Sequence, residues 1–245
     1  MEQGLERADA RLRVFPDARA IFAPEQEWLA RHLHPLVSID LGANEPEWSG
    51  WIHLLSPLEP CEGYVGDHTG AAHNACTREN WLAFRLDADD RYRFLGERGY
   101  FLLEHAVGDA TVDADADLHA EMQAHYAVQQ ASYEASIQRY RRYGVLTYPE
   151  ADDPLTRSDW DNGCVLQQLG GTTGYGNWTD CPTVPDAFVM DTADPDNVFP
   201  RMRDGRPFRF IASTAGYPWQ ETGADSILLF YEPESRTVLL TFDWT

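Results

Sequence analysis

The chain has 245 residues, 40 acidic and 19 basic side chains, a net charge of −21, and 43% hydrophobic and 12% aromatic content. That supports one sizeable core or two closely packed subdomains, and the 8 Trp, 11 Tyr and 11 Phe point to a folded globular protein. The charge repels a nucleic-acid duplex or an anionic membrane and suits a solvated surface or a basic partner, and no apolar run approaches the roughly 20 residues of a membrane helix.

Every basic side chain other than His is Arg; there is no Lys. This removes a Schiff-base lysine, a phosphate-loop lysine, a kinase-type lysine and a Ser–Lys dyad. The N-terminal stretch "MEQGLERADARLRVF" is charged and has no apolar h-region, so a cytosolic protein, or one exported by a route that leaves no N-terminal mark, is expected.

Along the chain, "PEQEWLARHLH" (24–34) has helical spacing with acids in its first turn and predicts a short helix. "WSGWIHLLS" (48–56) predicts a strand. Next comes "CEGYVGDHTGAAHNAC", in which Cys61, His68, His73 and Cys76 offer two thiols and two imidazoles, a set zinc accepts tetrahedrally. The spacing matches no familiar zinc finger, and a flexible loop with reduced thiols is the competing reading. "WLAFRL" and "RYRFLG" flank "DADD" and predict a hairpin, with "YFLLEHAV" (100–107) as a third strand.

"DATVDADADLHAE" then presents Asp109, Asp113, Asp115 and Asp117. It begins like a calcium-binding loop but has Leu118 where Gly is required and Ala124 where the bidentate Glu belongs. Helix capping, or a negative patch for a basic partner, explains these acids. Residues 115–143 contain no Gly or Pro, open on acids, close on Arg139, Arg141 and Arg142, and stop at Gly144, which predicts one long helix. His119, Tyr126, Tyr133 and Tyr140 recur every seventh residue, with Met122, Ala127, Ala131 and Ile137 widening the apolar face. Such a stripe packs into a core; alternatively Tyr126 and Tyr133 serve a partner, since Tyr is enriched at interfaces. The polar segment 149–162 would link two subdomains.

"LQQLGGTTGYGNW" (166–178) poses the question of a phosphate loop. Asn177 stands where the phosphate-loop Lys is required, the G-x-G-x-x-G order is reversed, and Pro182 and Pro185 forbid a long following helix. The glycines are expected to bend the chain after a strand, "CVLQQL". "FRFIAST", "SILLFYEP" and "TVLLTFDWT" predict the closing strands, the last two joined through "EPES". The series "QQLGGTTGYGNW", "FRFIAST" and "GADSILLFYEP" resembles the C-terminal half of the YwqG-like family, over about the last third of the chain. A Pro usual after the paired glycines is absent here. The resemblance implies a β-rich fold and carries no catalytic residues; some relatives sit beside bacterial toxins and look like immunity proteins.

The expected fold class is therefore α+β: antiparallel β-sheets with one long central helix in a compact globular chain. It is a single domain over 1–245, or two packed subdomains, a mixed part (1–148) carrying the helix and a β-rich part (149–245). There is no nucleophile elbow and no paired Ser or Cys with His in a recognisable spacing. The favoured function is an acidic cytosolic binding protein, most concretely an immunity protein neutralising a basic toxin, with Asp109, Asp113, Asp115 and Asp117 steering and Tyr126 and Tyr133 supplying contact. No cofactor is needed for that role. The alternative is a metal-dependent enzyme with zinc on the Cys61–Cys76 loop.

Overall fold

The computed structural model describes residues 1–147, 163–180 and 183–244. In chain order the elements are β1 (Glu2–Leu5), β2 (Leu12–Val14), the one-turn helix α1 (Ala18–Ile21), β3 (Leu33–Asp40), β4 (Trp51–Pro57), β5 (Trp81–Leu86) and β6 (Tyr92–Phe94). They continue with the long helix α2 (Ala116–Tyr143), β7 (Leu166–Leu169), the one-turn helix α3 (Asn177–Asp180), β8 (Phe188–Asp191), β9 (Phe199–Met202), β10 (Arg209–Thr214), β11 (Ser226–Glu232) and β12 (Thr237–Asp243). A seven-stranded antiparallel sheet runs β1-β7-β10-β11-β12-β5-β6; a three-stranded sheet runs β2-β3-β4, and β8 pairs with β9. The large sheet thus takes strands from both sides of the 148/149 boundary. The turn-rich segment 149–162 and Cys181 lie outside the described residues.

The closing strands read as nearly continuous apolar runs because both faces of the large sheet are covered. In β12, Val238, Leu240 and Phe242 join the core against the small sheet, where Leu36, Val37, Ile52 and Leu54 meet them. Leu239 points to the opposite face, with Phe230, Trp81 and Phe210, under Phe188, Val198 and Phe208 from the β8–β9 side. Alternation places successive residues on opposite faces, so a strand buried on both sides needs apolar residues at every position.

Helix α2 spans 28 residues between the Asp115 cap, which accepts the Leu118 N–H at 2.9 Å, and the left-handed Gly144. His119, Met122, Tyr126, Gln129, Tyr133 and Ser136 face inward. Ala127 and Ala131, expected to widen that face, are exposed.

Two segments differ from expectation. Residues 24–34 are not one helix: Pro24–Arg31 is a 3-10 stretch broken at Gln26, and β3 starts at Leu33. All of Leu33–Ile39 is buried, and burial between neighbours selects the strand. Residues 100–107 form no strand but two short 3-10 turns, Arg98–Tyr100 and Leu102–Glu104. Tyr100, Phe101 and Leu102 are all buried, and three consecutive inward side chains fit a turn rather than a pleat.

Candidate functional site

The acids before α2 are not isolated. The backbone N–H of Asp113 donates to the His68 carbonyl at 2.9 Å, and His68 Nδ1 lies 3.0 Å from the Asp113 carbonyl. These two bonds dock the 61–69 loop onto the 109–117 segment. Asp67 Oδ1 sits 3.1 Å from His68 Nε2, and the charges of Glu121 and Glu62 both act on the Cys61 thiol. His68 thereby links Asp67 to Asp113, and burial pushes the half-buried Asp67 carboxyl up. Asp109 accepts from the Thr111 hydroxyl at 2.6 Å and backbone N–H at 2.9 Å, and lies 3.1 Å from His105 Nδ1. Those bonds, Thr111 first, hold its carboxyl down to about 2. Asp113, Asp115 and Asp117 are exposed, as is Val107 (57%), two residues before Asp109.

The four residues expected for zinc are dispersed over separate contacts. Cys61 packs on the cluster of Leu58, Leu102, Met122 and Tyr126, whereas Cys76 packs on that of Trp81, Phe188 and Phe230. His73 Nε2 lies 2.8 Å from the Gly66 carbonyl, and His68 is held as described. Burial pushes both thiols up, toward the neutral form that binds metal poorly. Among the described residues, no three His, Cys, Asp or Glu side chains converge as a metal set.

Tyr126 and Tyr133 lie in the interior, each 7% exposed. The Tyr126 hydroxyl is 3.0 Å from His32 Nδ1, and His32 Nε2 is 2.8 Å from Glu104 Oε1. Arg98 and Arg31 reach the same carboxylate from the surface. Burial pushes His32 down to about 4 despite Glu104, so the ring is neutral: it accepts from Tyr126 and donates to Glu104. Burial alone would raise Glu104; Arg98 and His32 outweigh it and hold the carboxyl below its usual range. The Tyr–His–Glu order resembles a nucleophile relay, but burial raises Tyr126 well above its ordinary value, so the tyrosinate a nucleophile needs is disfavoured. The group is a clasp that ties α2 to the body. Tyr133 continues it, stacking on His34 with ring centroids 3.9 Å apart and donating to the Pro35 carbonyl.

Two further buried groups come from residues the sequence does not flag. Glu59 is 3% exposed, and its Oε1 has no partner among the described residues. Burial pushes its carboxyl up to about 8, leaving it mostly protonated at neutral pH. On the far side, Ser38 Oγ lies 2.9 Å from His53 Nδ1, and His53 Nε2–H donates to the Asp90 carbonyl at 2.7 Å. This pair borders a surface cleft of about 560 Å³ that Arg13, Trp51 and Arg91 also line. Burial pushes His53 down to about 4, which makes it a weak base at neutral pH. His32, Glu104, Glu59, Ser38 and His53 come from separate elements and share no spacing, so no motif could have announced them.

Compared with protein-family models, with curated proteins and with solved structures, the chain matches none. Among the described residues, no helix is long and apolar enough to cross a membrane.

Proposed function

We propose that the chain is a non-catalytic cytoplasmic binding protein for a basic protein partner, most concretely an immunity protein that neutralises a basic toxin. The observation that carries this reading is the docking of the 61–69 loop on the 109–117 segment, which links Asp67 through His68 to a run of exposed acids, Asp113, Asp115 and Asp117. A net charge of −21 extends the same field over the molecule. Such a field speeds encounter with a basic surface, and salt weakens it. The exposed Val107 offers apolar contact beside the acids. The resemblance of the C-terminal third to the YwqG-like family gives the immunity role its concrete form.

The test is co-expression with a basic toxin encoded beside the gene. The chain should restore growth, and changing Asp109, Asp113, Asp115 and Asp117 to Asn should slow association at low salt with little change in dissociation. The fold should survive, because these carboxylates are exposed or nearly so and Asn is also a good N-cap. Unchanged association kinetics would remove these acids from the proposal. Failure of the chain to protect against any neighbouring toxin would remove the immunity role.

A further inference from the structure

Helix α2 buries one pole, centred on Met122, Gln129 and Tyr133, and turns the opposite pole outward. At about 100° per residue, that outward pole carries Ala120, Ala124, Ala127, Val128, Ala131 and Ala135, all exposed, with Val128 50% exposed. A solvated helix face in a strongly acidic chain is expected to be charged. Here the middle of the face carries one carboxylate, Glu134, and the charge lies at the ends: Asp117 and Glu121 at the start, Arg141 and Arg142 at the finish. The helix dipole favours those signs at those ends, but gives no reason for the apolar middle.

The face is complementary to itself when reversed. We propose that a second copy of this chain docks on it, α2 against α2, antiparallel about a twofold axis passing between Gln129 and Gln130. In that register Asp117 of one copy meets Arg142 of the other, Ala124 meets Ala135, and Val128 meets Ala131. Each pair occurs twice, as an isologous interface requires. Alanines let the axes approach to about 8 Å, and the seam from Asp117 to Arg142 runs about 38 Å. The bodies lie on opposite sides of the helix pair, because the buried and outward poles are opposed. One helix pair buries little area, so the dimer is a rapidly exchanging one, with a dissociation constant on the order of 10–100 μM. This goes beyond the binding role proposed above and needs no other partner. Asp117 belongs to both surfaces, whereas Asp109 and Asp113 lie outside the helix.

Sedimentation of the full chain from about 5 to 500 μM tests it, in about 150 mM salt so that self-repulsion is screened beyond about 8 Å. Dimer should appear in the upper part of that range, and Ala131→Glu should abolish it with the melting temperature little changed. Asp117→Arg and Arg142→Asp should each weaken the dimer about tenfold, and the double variant should restore it. A monomer throughout overturns the proposal. So does a dimer indifferent to Ala131→Glu, or a double variant no tighter than the single ones.

Discussion

Asp243 Oδ1 accepts the backbone N–H of Asn177 at 2.8 Å, where the Gly-rich turn ends. Asn177 Oδ1 in turn accepts the Trp244 N–H at 3.1 Å. The turn therefore closes on a carboxylate from β12. Its glycines serve that closure. Gly170 and Gly171 have φ of 64° and 91°, and a Cβ at Gly176 would stand 2.7 Å from Asp243 Oδ2. ATP, GTP and NAD should give no heat in calorimetry; micromolar binding lost on Gly174→Ala would contradict this. Gly176→Ala should lower stability by about 1–2 kcal/mol through the displaced Asp243 bond, read by denaturant titration.

Glu59 sets a pH dependence of the opposite sign to most carboxylates. Its folded value, about 8, lies above the ordinary 4.5, so the folded state holds the proton more tightly. Its contribution to stability is complete below about pH 4.5 and is lost as pH rises toward 8. The full difference corresponds to as much as about 5 kcal/mol. Glu59→Gln mimics the protonated acid. It should be close to neutral at pH 4.5 and stabilising by a few kcal/mol at pH 8. Equal effects at both values would show that Glu59 does not titrate in this way.

The clasp of Tyr126, His32 and Glu104 should be felt at the acid end. His32 and His53 have folded values lowered to about 4 by burial, below the ordinary 6.5. Their contribution is complete above about pH 6.5 and is lost as pH falls toward 4, where the unfolded chain takes up protons first. Tyr126→Phe removes the hydroxyl that His32 Nδ1 faces at 3.0 Å and should cost about 1 kcal/mol at pH 7. His32→Leu should cost about 2–4 kcal/mol, because Glu104 loses a buried donor, and should make the acid limb of the stability profile shallower. A limb of unchanged slope would count against a neutral, buried His32.

Gly216 and Gly223 bring two backbone segments into direct contact. A Cβ on Gly216 would lie 2.7 Å from the Gly223 Cα, and one on Gly223 would lie 2.6 Å from Gly216 Cα. Backbone cannot swing aside as a side chain can. Gly216→Ala should therefore cost about 2–4 kcal/mol in thermal or denaturant unfolding, whereas Gly70→Ala, with open space around it, should cost under about 1 kcal/mol.

Local chemistry was enough to read some elements from the residues alone. Helix α2 follows from a long stretch free of Gly and Pro, an Asp cap and a terminal Gly, all acting within a few residues of one another. The β5–β6 pairing and the runs of β10, β11 and β12 follow from short-range pattern, and the mixed antiparallel class follows from their sum. Tertiary structure decided the rest. Residues 24–34 have a helix-like spacing that burial overrides from Leu33 onward, and Arg98–Glu104 turns because three adjacent side chains must all enter the core. The docking of the 61–69 loop needed Asp113 to meet His68 across 45 residues of chain. The separation of Cys61 from Cys76, on two different apolar clusters, likewise depends on which sheet face and which helix each thiol meets. Spacing governs what neighbours along an element can do; only packing brings distant residues together or keeps near ones apart.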